Sequence, residues 1–433
     1  MTQNHFFKTE PRLKYYLMAI FMAFFMGYLL LSLQLAPTVA FQHYDVLFEL
    51  DTPRVVTDMA QFRGDHHRTV VHPIYVLLVN PLGAVLTGVF GSSNVAAAIV
   101  NSMLGALGVT LGFFFFWLYS KDLVNALLLT LFFGLTTSQF LLSVLPETGS
   151  LAVVSLILNY LLLLHGIQTQ KLYFRWWVLA GLLALGVTTT NFVQSLICFA
   201  VLYWTLAENR REIFHLTKSK VVHFGVTVVG ATVFLSIIQR IIYPGSSLFF
   251  NPRAYGEDSS YIDFFRIFED PWIIISQIVK SFFVVDFIPP LPDAFYIPEI
   301  DTAAMTFSLS WDFLPVGIAA IALWLCLWCL GIIKFFKEKS FLPVFIGLAL
   351  CLLFNLFFHT FYGVGKDDIY GVEIEGRMEF FMFSGNFHFL ILTFLSPLLA
   401  VHKKWVRPVL ALLVLLTLAN NAQIFKHIFK AFA

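Results

Sequence analysis

The chain has little charge and little cysteine. Only 12% of its 433 residues are Asp, Glu, Lys or Arg, about half the share of a soluble globular domain, while 59% are hydrophobic and the mean hydropathy is +0.81. That excludes a soluble fold and leaves a polytopic membrane protein. The net charge of +1 gives no reason to expect a nucleic-acid partner. Four cysteines, Cys198, Cys326, Cys329 and Cys351, all lie in apolar runs, so they read as small apolar residues on buried helices rather than a disulfide framework or a zinc site. No repeat period, low-complexity tract or soluble domain is visible. The first apolar run lacks a short core ending in a small-residue cleavage site, and it reads as a retained helix rather than a signal peptide.

What the chain does have is long apolar runs. Segments of spanning length fall at about 15-36, 94-119, 123-144, 150-168, 176-191, 193-207, 221-243, 313-335, 341-361, 379-401 and 408-424, predicting an all-α protein with about eleven transmembrane helices in one membrane domain, 1-433. Residues 72-91 are also apolar but carry Pro73 and Pro81. If they do not cross, the basic clusters around Lys121, Lys171, Arg175, Lys218, Lys334 and Lys403 share one side with the N-terminus, as the positive-inside rule asks. The stretch therefore reads as a re-entrant or interfacial helix, and the N-terminus as cytoplasmic in a cytoplasmic (inner) membrane. Three segments then lie outside: 37-93, 244-312, whose run 260-283 reads as a helix with Arg266 and Lys280 at the lipid surface, and a mobile glycine-containing loop, 362-378.

The ionisable chemistry is gathered in one of them. "FELDTPRVVTDMAQFRGDHHRTVVHP", residues 48 to 73, holds four acids, three arginines and three histidines between apolar stretches. Seven residues separate Asp51 from Asp58, two helical turns, so both carboxylates share one helix face with Arg54 between them. About 10 Å of helix axis separates them, too far to share a proton and suited to separate tasks. The bland alternative is an N-cap at Asp51 and an ordinary surface pair of Arg54 with Asp58. His66, His67 and His72 lie nearby. With Asp51, Asp58 and His72 as the candidate ligands, a divalent cation such as Mg or Mn is left open.

These residues resemble the first outer loop of the GT-C superfamily, integral-membrane glycosyltransferases that take sugars from polyprenyl phosphates. The "D-x-P-R" setting of Asp51, the second acid and the "H-P" at His72 and Pro73 are similar to the aminoarabinose-transferase and protein O-mannosyltransferase branches, over residues 45-110. The chain departs from that pattern where Thr52 follows Asp51 in place of a second adjacent acid, and where "H-P-I" replaces "H-P-P". The resemblance implies a GT-C-like fold with juxtamembrane helices on the outer face, and transfer of a sugar from a polyprenyl-phosphate donor to a glycan, lipid or protein acceptor there. Asp51 would be the general base and Asp58 the second acid. Arg54, Arg253, Lys366 and Arg377 are candidates for the donor phosphate, because a leaving phosphate needs a fixed cation. His66, His67, His72, Glu147, His359 and Tyr362 are candidates for the substrate. Glu147 has a plainer reading as a helix cap, and Asn101, Asn191 and Asn355 as helix-to-helix hydrogen bonds. The rival functions are a transporter or flippase, which usually carries deeper charges and paired helix breaks, and a polymerase of lipid-linked glycans.

Overall fold

The computed structural model describes residues 12-207, 213-251, 271-307, 310-362, 368-369, 372-373, 380-401 and 403-432. Among them, seven helices are long and apolar enough to cross a bilayer. These are α1 (Leu13–Leu35), α4 (Ser93–Ser120), α7 (Gly149–Thr169), α10 (Ile213–Ile242), α12 (Pro315–Lys337), α13 (Leu342–Phe361) and α16 (Lys403–Phe432). The chain is a multi-pass membrane protein, and its described residues are mostly helical. Helix α4 lies at the centre against α1, α7 and α5 (Leu123–Leu135), whereas α1 buries one stripe, Leu13, Ile20, Tyr28, Ser32 and Leu35, and exposes the rest. Exposed apolar surface of that kind is suited to lipid.

Several expected spans are not continuous helices of full length. The run 123-144 is two helices, α5 (Leu123–Leu135) and α6 (Thr137–Val144), bent by 60°. At the bend Thr136 takes an extended backbone. The backbone N–H groups of Thr137 and Ser138, freed by the break, donate to the carbonyls of Phe287 (3.4 Å) and Asp286 (3.0 Å), which satisfies donors that lipid could not. Tyr28 OH donates to Gly134 O (2.7 Å) and Ser32 Oγ to Val144 O (2.5 Å), so α1 braces both halves. The runs 176-191 and 193-207 are the shorter helices α8 (Phe174–Val187) and α9 (Asn191–Leu206). The run 379-401 is broken into a 3-10 turn, Phe381–Asn386, then α14 (His388–Thr393) and α15 (Ser396–Val401). Residues 72-91 hold α3 (Tyr75–Phe90), only 16 residues long, with Pro81 inside it.

Within the segment 244-312, the run 260-283 reads as a helix, and its residues 260-270 lie outside the described residues. A helix does form, α11 (Pro271–Lys280), continuing into a π-turn at Ser281–Val285. It is followed by an antiparallel pair, β1 (Asp293–Ile297) with β2 (Thr302–Thr306), register Asp293 to Thr306 through Ile297 to Thr302. A second pair, β3 (Asp368–Ile369) with β4 (Val372–Glu373), is smaller. β2 is joined to the chain before Asp51: Met305 N donates to Val46 O (2.9 Å), and Phe48 N to Met305 O (2.8 Å). The segments 37-93 and 244-312 are thus parts of one assembly.

The polar side chains inside the helices divide. Asn101 donates to the carbonyls of Leu142 and Leu145, both at 2.8 Å, and Asn191 donates to Asn386 Oδ1 (2.9 Å), so both bridge segments as expected. Asn355 instead bonds Cys351 O within its own helix. Cys198 and Cys351 are buried with their sulfurs 3.7 Å apart. Cys326 and Cys329 are exposed, a correction to the buried-helix reading, because α12 turns that face outward.

Candidate functional site

The approach to Asp51 is built from an unusual backbone. Asp45, Phe48 and Glu49 have φ of 58°, 56° and 60°, a region that non-glycine residues seldom occupy and a bulky side chain hardly ever does. Tertiary contacts hold it: Phe48 stacks on Phe307 with centroids 4.2 Å apart, and the Thr306 hydroxyl donates to the buried Glu49 carboxylate. The turn delivers the chain into α2 (Thr52–Ala60), with Pro53 in its first turn.

Asp51 occupies the N-cap position but makes no capping hydrogen bond. Its Oδ2 accepts from Arg54 Nε (3.1 Å), and Arg54 Nη1 reaches the other way to Asp58 Oδ2 (3.1 Å). The guanidinium therefore bridges two carboxylates on one helix face, the arrangement their spacing permits. The pair with Asp58 is not a surface pair: the side chains of Arg54 and Asp58 are 5% and 2% exposed. The other Asp58 oxygen lies 2.7 Å from His66 Nδ1; since a carboxylate only accepts, that nitrogen carries the proton. His66 Nε2, also buried, has no hydrogen-bond partner among the described residues. Asn80 of α3 donates to Asp58 O (3.0 Å) and Gln61 O (3.2 Å), fixing the end of α2. At Gly83 an added Cβ would stand 1.9 Å from Met59 O, so this close approach of α3 to α2 requires glycine.

Glu147 joins this group from the α6–α7 turn, which Asn101 holds through the Leu142 and Leu145 carbonyls. Its Oε1 accepts from the backbone N and the hydroxyl of Thr148 (2.8 Å each), and its Oε2 from Asp51 N (3.3 Å). The plainer cap reading is met in part, at Thr148, and the remaining oxygen reaches the candidate site. Burial raises the Glu147 pKa, with Arg54 opposing and Asp51 adding to the rise. Burial also works against the Arg54 charge, but Asp51, Asp58 and Glu147 more than offset it and push its pKa up. One cation is thus shared by three carboxylates. Asp51, with a side chain 23% exposed, is the member of this network open to solvent, and its Oδ1 has no hydrogen-bond partner among the described residues.

The remaining candidates separate. His72 Nδ1 donates to Val187 O (2.6 Å); burial, then the nearby Arg54, drive its pKa down to about 3, so the ring is neutral. His67 pairs with Asp65 (3.4 Å) at the surface, away from the burial of its neighbour His66. His359 and Tyr362 lie in an aromatic cluster with Phe282, Phe358, Phe380 and Phe383. Arg253, Lys366 and Arg377 lie outside the described residues, as do Arg266 and most of the loop 362-378. Arg54, offered as a phosphate ligand, is engaged by carboxylates instead. No three side chains of His, Cys, Asp or Glu come together as a metal set among the described residues; Asp51, Asp58 and His72 do not fit one, since Arg54 takes an oxygen of each aspartate and Val187 the Nδ1 of His72.

Sequence reading also misplaced Lys280. Expected at the lipid surface, it is 2% exposed and lies over the Trp311 ring (4.8 Å). The signal was the stripe Ile274, Ile278, Ser281 and Val285, at helical spacing, which turns Ser281 and its neighbour inward. No protein-family model, curated protein or solved structure matches the chain.

Proposed function

We propose that the protein transfers a sugar from a polyprenyl-phosphate donor to an acceptor hydroxyl at the extracytoplasmic surface of the membrane, in a GT-C-like fold with about eleven crossings, three of them made by α8, α9 and the broken run 379-401. One observation carries the reading: among the described residues, Asp51 is the member of the Arg54 network that combines solvent access with a carboxylate oxygen not already used there. In the proposed reaction that oxygen takes the proton of the acceptor hydroxyl. The acceptor oxygen bonds to the anomeric carbon as the carbon's bond to the phosphate oxygen breaks, and polyprenyl phosphate departs with that electron pair. Attack from the opposite side inverts the anomeric centre. Arg54 orients Asp51 without touching substrate, and Asp58 and His66 hold Arg54 from behind.

The test is reconstitution of the purified protein with a panel of polyprenyl-phosphate sugars and lipid, glycan and peptide acceptors. A glycosylated product formed by wild type and lost in Asp51→Asn supports the reading; product formed equally by both removes the base. A second reading, transport of a lipid-linked glycan, draws support from the α5–α6 break beside the buried Asp286. Movement of labelled donor across sealed vesicles with its covalent structure unchanged would favour it.

A further inference from the structure

Helix α6 begins at the break after Thr136, and what it meets there is the end of the π-turn. Asp286 closes that turn by donating its backbone N–H to Ser281 O (3.0 Å), and its own carbonyl accepts from Ser138 N (3.0 Å) while Phe287 O accepts from Thr137 N (3.4 Å). The backbone at this junction is satisfied. Its side chains are not. Both carboxylate oxygens of Asp286 and the hydroxyls of Ser138 and Thr137 are buried without a hydrogen-bond partner among the described residues, on three residues that are each fully buried. The Ser138 hydroxyl lies beside the carboxylate. Unmatched buried polar atoms are costly and ask for an explanation. Here every one of them is an oxygen.

We infer that this junction is a binding site for a single alkali cation, held by the Asp286 carboxylate and the Ser138 and Thr137 hydroxyls, with backbone carbonyls at the break completing the shell. Hard cations take oxygen ligands, and a helix broken inside a membrane protein is where such ligands gather. Charge decides the valence. The other residues that meet at the break, Leu135, Phe287 and Asn421, carry no charge, so one positive charge balances the one carboxylate. A divalent ion would leave an excess charge buried, which is far more costly. The N–H groups at the start of α6 favour the ionised carboxylate. In sodium-free medium a proton holds that carboxyl instead, and in either case the junction carries no net charge. The bound cation fastens α6 to the π-turn. This site shares no residue with the Arg54 network, and the inference does not depend on the transferase reading.

The test measures binding of radioactive sodium to the full-length protein in nanodiscs, at mildly alkaline pH, with choline chloride keeping the ionic strength constant. Wild type should bind one ion per chain. Asp286→Asn should weaken binding at least about tenfold, the least that loss of even an outer-shell partner costs a metal site. Ser138→Ala should weaken it less, and Asp51→Asn should bind as wild type. Sodium should also raise the unfolding midpoint of wild type above its value in choline, because the ion binds the folded chain, and leave that of Asp286→Asn unchanged. Wild type that takes up no stoichiometric sodium, or Asp286→Asn that binds it like wild type while folded by thermal scan, overturns the site. Should Asp286→Asn fail to fold, Ser138→Ala decides: sodium affinity equal to wild type overturns the site, and a weakened affinity supports it.

Discussion

Asp58 and Asp286 are both buried aspartates, at 2% and 0% exposure, and their surroundings are opposite. Asp58 gives one oxygen to Arg54 and the other to His66. Asp286 has neither: both its oxygens lack a hydrogen-bond partner of good geometry among the described residues, with the Ser138 hydroxyl the nearby polar group. Burial drives the Asp286 pKa well above its ordinary 3.8, with the Ser138 hydroxyl opposing the rise. A buried acid beside a fixed cation is held as part of a charged, oriented network; one without a cation is neutralised by taking a proton. In the function proposed above, the first kind orients Asp51 for proton transfer. The second seals the bend between α5 and α6 without carrying charge into the interior.

The contrast is broken most severely at Arg54. Arg54→Met strands Asp51, Asp58 and Glu147 around an apolar side chain, and removing one partner of a buried ion pair is expected to cost about 3–5 kcal/mol, read as a lowered unfolding midpoint in detergent. His66→Ala leaves one Asp58 oxygen unpaired and should cost about 1–3 kcal/mol. Gly83→Ala forces α3 away from the Met59 carbonyl, at a cost of about 1–3 kcal/mol; it should also lower activity, because Asn80 on the same helix anchors Asp58. Replacement of Asp286 has the smallest effect and the most specific one. Its folded pKa lies above 3.8, so the native state holds the proton more tightly than the unfolded chain does. That contribution is fully present below pH 3.8 and is lost as pH rises towards the folded value. Asp286→Asn should therefore be nearly neutral in acid and gain stability relative to wild type as pH rises, a trend measurable by thermal scans between pH 4 and pH 8. An equal difference at both ends would contradict the account of Asp286.

Much of the site was legible because its contacts are local. The i, i+3 and i, i+4 spacing of Asp51, Arg54 and Asp58 fixes their shared face before any tertiary contact is known. Glu147 was a candidate by its position at a helix end, but its bond to Asp51 N depends on the Asn101 anchor in another helix. The break at Thr136 was hidden in the continuous apolar run 123-144, since what permits it is a pair of carbonyls at Asp286 and Phe287, far along the chain. The β1–β2 pair in the outer segment 244-312 was not foreseen for a similar reason: β2 is fixed by Val46 and Phe48, which local periodicity does not show. Lys280 was placed at the lipid surface by its charge, whereas the apolar stripe beside it carried the better information.

The most direct measurement is sugar-transfer turnover by Asp51→Asn relative to wild type, each normalised to folded protein. Asp51 is partly exposed and outside the buried pairing of Arg54 with Asp58, so the variant should keep its unfolding midpoint within a few degrees while turnover falls by about 10²–10⁴, the range for loss of a general base. Turnover at the wild-type rate in a variant of unchanged stability would contradict the account.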